Sequence, residues 1–467
     1  MPPKLPAKTS RRARLLVSTA ILAGVVVLTA ILSFSIWRWR LRESINGKIA
    51  AIRAEGLPVD WQDLMTWPAV VPDDENAAFI YTNAIAQRGT KSERNMPDVE
   101  DVLQFRQPIS AALRMQFEMA VETNSVALTI INQVTNALES RYPVNFLDGP
   151  NAALPHLEGL KDLAKILACD AILKADGSNA PASSDDVQSI LKLSQSLDND
   201  PSVISQLTSG AILTIGCQTI QAVLCRMPLQ DAQLSGLAPR VSAIESTNRM
   251  LIGLIGDRAL YNEFLRLMQD DPKKMVDQAD ESSSGDDQSE LPSNPGVGWK
   301  LIGFFERDRN FFLDGMATNI FLIRQGPPGS LALAAVDDQL SRDARKSLDI
   351  FSAMLLPVTA GIARRDASIR AELRDTVAAI AIERWRSAHG GALPESLNDL
   401  VPAFLPAIPA DPFDGKPLRY RKLKTGYCVY SVGPNQRDDG GREIPPPSRR
   451  KHDRDWMNYD IVFTVER

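Results

Sequence analysis

The stretch "DPFDGKPLRYRKLKTGYCVYSVGPNQRDDGG", Asp411 to Gly441, is where the chain changes its period. Upstream, apolar residues recur every three or four positions. Here they alternate, in "LRYRKL" and "GYCVYSV", and again in "YDIVFTV" near the end. Alternation marks strands with one face buried. The stretch reads as a tight hairpin followed by an acidic, glycine-rich loop. That loop is either a metal site or the turn that closes a small sheet. Gly440 and Gly441 suit a turn, because glycine takes positive φ without strain.

Before the hairpin, "DASIRAELRDTVAAIAIERWRSAHGGALP" carries the stripe Ile369, Leu373, Val377, Ile380, Ala381, Trp385 and Ala388. This is one face of a long helix, stopped by Gly390 and Gly391. Residues 366–467 are therefore expected to form a small α+β domain with an antiparallel sheet. Residues 44–365 read as helix after helix, joined by short connections as in antiparallel helical hairpins. Pro108 to Leu138 breaks near Asn124, and Gly177 caps another helix. The pairs Asp73-Asp74 and Asp185-Asp186 read as N-caps. A charge-free run from Val203 to Cys225 contains Gln206, Ser209 and Gln218, which suits a buried core helix rather than a membrane span. Residues 270–296 are acidic, rich in serine and poor in large apolar groups, so disorder is expected there. Taken together, the fold class is mainly α.

The N-terminus is of different material. "LLVSTAILAGVVVLTAILSFSIW", residues 15–37, is uncharged and exceeds the ~20 residues a bilayer span needs. Lys4, Lys8, Arg11, Arg12 and Arg14 precede it, and Lys and Arg favour the cytoplasmic side. Trp37 and Trp39 suit an interfacial anchor. Residues 1–14 are then a cytoplasmic tail and 15–37 a transmembrane anchor, with the bulk of the chain outside the bacterial inner membrane. A cleaved signal peptide is the alternative, but its apolar region usually spans only ~7–15 residues. The four cysteines include Cys217 and Cys225, eight apart on one expected helix and ~12 Å apart along its axis, too far for a bridge. Buried free thiols are expected. The net charge of −5 argues against a nucleic-acid partner.

The run from "AIAIERWRSAHGG" through "LPESLNDLV", "DPFDGKPLRY" and "YCVYSVGPN" to the Gly/Asp loop resembles the head of the major pseudopilin of type II secretion, over the last ~90 residues or so. The resemblance implies calcium as a cofactor, held at positions matching Asn435, Asp438, Asp439 and Asp460. It departs from the family in that the anchor lies far upstream, no prepilin-peptidase site is present, Asn435 stands where Asp is common, and Arg442 to Asn458 is inserted before Asp460. More loosely, the whole chain resembles bacterial single-anchor membrane proteins with a helical body, a likeness that carries no activity.

Catalytic motifs do not emerge. His156, His389 and His452 are far apart, with no HExxH, no serine elbow and no phosphate loop. His389 suits a partner for its helix's C-terminal dipole. The basic residues of "GKPLRYRKLK" suit an edge strand guarded against pairing, with anionic lipid as the alternative. The function expected is a non-enzymatic, membrane-anchored envelope protein that binds other envelope proteins, in secretion or surface assembly. An envelope hydrolase with a site in a cleft of the helical body is the alternative.

Overall fold

The computed structural model describes residues 11–89, 109–134, 139–270, 303–356, 359–443 and 455–467. The acidic segment expected to be disordered lies outside the described residues except for Asp270, as does the N-terminal tail up to residue 10. The fold is mainly helical, with one three-stranded antiparallel sheet near the C-terminus.

Helix α1, Arg11–Ala54, takes the apolar stretch and runs on without a break past Arg38, Arg40 and Arg42. It ends ahead of Gly56, whose φ is +71°. Short helices follow: α2 (Trp61–Thr66), α3 (Ala77–Ala86), α4 (Ala111–Thr123) and α5 (Ser125–Ile131). Asn124 breaks α4 from α5 as its position predicts: its side-chain amide donates to the carbonyl of Ala120 and its oxygen accepts from Gly89. Four long helices then fold back on one another: α6 (His156–Asp176), α7 (Ala180–Gln195), α8 (Val203–Arg226) and α9 (Asp231–Ser246). Helices α10 (Arg249–Asp270), α11 (Phe304–Arg324), α12 (Leu333–Ser347), α13 (Ile350–Leu355) and α14 (Thr359–Ala388) complete the body.

Two expected caps move. Asp73 and Asp74 form a separate 3-10 turn, and the cap of α3 is Asn76, whose oxygen accepts from Ala78 N–H at 3.0 Å. Helix α7 is capped by Asn179, so Asp185 and Asp186 lie inside it, and Asp186 is buried against Lys174. Each run holds several residues able to cap, and packing selects among them. Gly177 is the C-cap of α6, while the left-handed residue is Ser178, φ 59°.

Helix α8 is apolar on all sides because it lies between two cores. Ile212, Ile215 and Ala222 face α3 to α7. Leu213, Cys217, Ile220 and Leu224 face α9 to α14. A helix hydrophobic all round belongs inside, and 67% of its apolar window is buried. Some of its polar side chains find internal partners: Ser209 donates to Ser194 O, and Gln206 to Leu197 O and Asp200 O.

The second core continues into the sheet, ordered β1 (Arg419–Leu423), β2 (Gly426–Ser431), β3 (Ile461–Glu466). Tyr427, Val429, Phe463 and Val465 pack with Leu373, Ile380 and Leu224. Gly426 is required at the hairpin, since a Cβ there would lie 1.8 Å from Val465 O. Helix α14 begins at Thr359, so the boundary expected at residue 366 falls within a helix. It stops where Gly390 and Gly391 take positive φ, and Ala388 is exposed rather than part of the buried stripe. All four cysteines are free and buried.

Candidate functional site

The turn "DPFDGK" is organised by one carboxylate. Asp411 is fully buried. Its Oδ1 accepts from Phe413 N–H and Ser431 Oγ, both at 2.8 Å. Its Oδ2 accepts from Val432 N–H at 2.9 Å and Arg419 at 2.5 Å. Arg419 also pairs with Asp414. The motif thus ties the entry of the hairpin to the end of β2. A buried carboxylate with this many donors is a structural joint.

The loop after β2 has a second such joint. Asp460, buried at the start of β3, accepts from the backbone N–H groups of Asp439 at 3.3 Å, Gly441 at 2.7 Å and Arg442 at 3.1 Å. Burial and the Asp439 charge push its carboxyl up, against the three amides that favour the ion. The other residues matching the calcium pattern lie in the same loop but face elsewhere. Asn435 donates its amide to Asp439 Oδ2 at 2.9 Å and accepts from Arg437 N–H. Asp438 Oδ1 accepts from Tyr430 Oη at 3.1 Å and from Gly440 N–H. Calcium needs 6–8 converging oxygens. Here Asn435 Oδ1, Asp438 Oδ1, Asp439 Oδ2 and both oxygens of Asp460 accept from N–H or O–H donors, and among the described residues no group of three or more His, Cys, Asp or Glu side chains could hold a metal ion. In this arrangement the residues close a turn; calcium at Asn435, Asp438, Asp439 and Asp460 stays what the resemblance implies.

A polar centre that sequence reading missed lies in the helical body. His156, the first residue of α6, has Nε2 3.1 Å from Oδ2 of Asp200 in the connection between α7 and α8. Both side chains are buried. The ring of Tyr142 stacks on His156 at 4.1 Å and 7°, and its hydroxyl lies 2.9 Å from Ser196 Oγ. Burial pushes the Tyr142 phenol well above its ordinary range. The connection carrying Asp200 is held from two sides. Gln206 donates to Asp200 O, and Gly256 lets α10 approach so closely that a Cβ would lie 1.8 Å from Pro201 O. Arg141, Tyr142, Ser196, Asn199 and Asp200 line a small, partly open recess of about 10 Å³, room for a single water molecule. Oδ1 of Asp200 is buried without a hydrogen-bond partner. An imidazole–carboxylate pair has the acid–base capacity of catalytic sites. The neighbouring Ser196 hydroxyl is engaged elsewhere: its Oγ donates to Leu193 O at 2.7 Å and otherwise meets Tyr142. The pair is 44 residues apart in sequence, and no local pattern announces it.

His389 sits where its dipole role predicts, with Nδ1 2.9 Å from Trp385 O and its ring stacked on Trp385. Strand β1 is an edge, and Arg419 and Lys422 there are paired with Asp411, Asp414 and Glu395.

The anchor end has its own geometry. Glu306 of α11 is buried, and its Oε1 accepts from Arg38 at 2.5 Å and Arg42 at 3.1 Å. Lys48 reaches Asp314 at 2.6 Å. By contrast, the apolar window of α1 is 0% buried. No family model, no curated protein and no solved structure matches the chain.

Proposed function

We propose that this is a membrane-anchored scaffold of the bacterial envelope, crossing the inner membrane once through residues 15–37 with its N-terminus in the cytoplasm. The helical body and the sheet then lie outside, where they hold other envelope proteins in secretion or surface assembly. The observation that carries this reading is the contrast along α1. Its apolar half is long and apolar enough to cross a bilayer and has none of its apolar window buried, while the half that follows is fastened to α11 through Arg38, Arg42 and Lys48. A segment whose continuation is part of the folded body differs from a leader joined to it by a loose cleavage site. The resemblance of the sheet region to a pseudopilin head supports the choice of assembly partners.

The test is fractionation of cells expressing the full chain. Alkaline carbonate should leave the protein at full length in the membrane pellet, and protease added to spheroplasts should digest the body from outside. Release into the soluble fraction, or an N-terminus mapped beyond Trp37, would refute the anchor.

The hydrolase reading has one observation in its favour, the His156–Asp200 pair beside a recess. It would require Ser196 or a bound water to face His156, and His156→Ala would then abolish turnover of a reporter ester.

A further inference from the structure

We propose that the elbow joining α12 to α13, from Leu348 to Met354, is a second membrane contact: it seats on the surface of the bilayer that α1 crosses and holds the body against it. This rests on the reading of α1 as an anchor.

Helices α1 and α11 run side by side in the same direction. Arg38 meets Glu306, Lys48 meets Asp314, and Glu55 lies 4.0 Å from Arg324. The start of α11 is therefore the end nearest the bilayer. There, a Cβ on Gly303 would lie 3.1 Å from the ring of Trp37, the last uncharged residue of the anchor. The elbow hangs from this end. Arg307 donates to Asp349 at 2.8 Å and to Leu348 O at 3.1 Å. Asp308 accepts from the N–H groups of Phe351 and Ser352 at 2.8 and 2.9 Å. Arg307 is four residues along α11 from Gly303, ~6 Å at ~1.5 Å per residue. The layer between hydrocarbon and water is about 5–7 Å thick on each side. The elbow is thus at the depth of that layer.

Its chemistry suits that depth. Leu348, Ile350 and Met354 are 66%, 45% and 70% exposed. Leu348 is the C-cap of α12 with φ 60°, a left-handed position where glycine or asparagine is usual. A leucine there bears backbone strain and buries little of its side chain within the protein; an apolar medium outside would supply the burial. Arg345 and Lys346 occupy the preceding turn, with Lys346 78% exposed, as expected beside anionic headgroups. Trp39, 64% exposed, lies two residues past Trp37 on α1 and is of the type that lines membrane interfaces.

Phe321 provides an internal control. It is also a large apolar side chain, 63% exposed and on α11, but 18 residues past Gly303, ~27 Å from the bilayer end. The four native cysteines are buried, so single cysteines can be labelled selectively. Full-length Leu348→Cys, Met354→Cys, Phe321→Cys and Leu28→Cys proteins would carry a nitroxide in vesicles of phosphatidylcholine and phosphatidylglycerol. Collision with oxygen, which enters lipid, is compared with collision with a water-soluble nickel chelate. The label at 28 should favour oxygen strongly. Labels at 348 and 354 should show several-fold less nickel collision and more oxygen collision than the label at 321. If 28 lies in lipid but 348 and 354 match 321, the elbow is in water and the inference fails while the anchor stands. If 348 and 354 are shielded from both agents, protein covers them, either residues 271–302 or a partner, and the inference fails. A label at 28 in water would remove the anchor itself.

Discussion

The two ends of the folded body are joined to the rest of the molecule by different chemistry. At the anchor end, α1 is held by charge: Arg38 and Arg42 on Glu306, Lys48 on Asp314. At the other end, β2 and β3 are held mainly by apolar packing of Tyr427, Val429, Phe463 and Val465 on α8 and α14, with the Arg467–Glu383 ion pair beside it. A charged joint depends on salt and on water access, because exposed ion pairs are screened. An apolar joint does not. The sheet is thus continuous with the core of the body, while the anchor joint is the one that conditions can loosen.

The largest expected effect comes from breaking the apolar joint. Tyr427 is fully buried and donates its hydroxyl to Ala379 O at 3.2 Å. Tyr427→Ala should cost about 3–5 kcal/mol, unchanged by salt, and denaturant unfolding should show α8 and α14 losing protection along with the sheet. Breaking the charged joint should cost less. Arg38→Ala leaves the buried Glu306 with Arg42 alone. Because Arg38 is 22% and Arg42 54% exposed, about 1–2 kcal/mol is expected, below the ~3–5 kcal/mol typical of sealed pairs. High salt should shrink that difference, and hydrogen exchange should rise at residues 303–310 while the sheet is unaffected.

Smaller still is Asp460→Asn. The amide retains one acceptor for three N–H groups, so about 1 kcal/mol is expected. The effect should be confined to faster exchange in residues 433–443, which would separate the loop from the sheet it closes. A separate expectation concerns pH dependence. Burial pushes Asp257 up from 3.8 to about 7, against the hydrogen bond from Val203 N–H. The folded chain then holds this proton where the unfolded chain has lost it. Its contribution therefore weakens stability as pH rises from 3.8 to about 7 and is constant above. Asp257→Asn should flatten that part of the stability curve; an unchanged slope would show that Asp257 ionises normally.

Much of the architecture was legible because it is local. An uncharged stretch between basic flanks, a switch from helical to alternating period, and paired glycines after Ala388 each need only a few neighbouring residues to be read. Caps were less legible, since Asn76 and Asn179 compete with nearby Asp and Ser of the same ability. The candidate sites were least legible. Glu306 meets Arg38 across 268 positions, and His156 meets Asp200 across 44. The acids of "NQRDDGG" look alike in sequence whether they face a cation or backbone amides. The structure adds what the sequence could not show, the position of Asp460 beneath the amides of Asp439, Gly441 and Arg442.

The most direct test is native-state hydrogen exchange of the full chain across a denaturant series, comparing β2 and β3 with α8 and α14. A sheet continuous with the body predicts that strands and helices share one opening, with the same free energy and the same denaturant dependence. Strand amides that exchange through a separate, lower-energy opening while α8 and α14 remain protected would contradict it, and would make the C-terminal region a module that folds on its own.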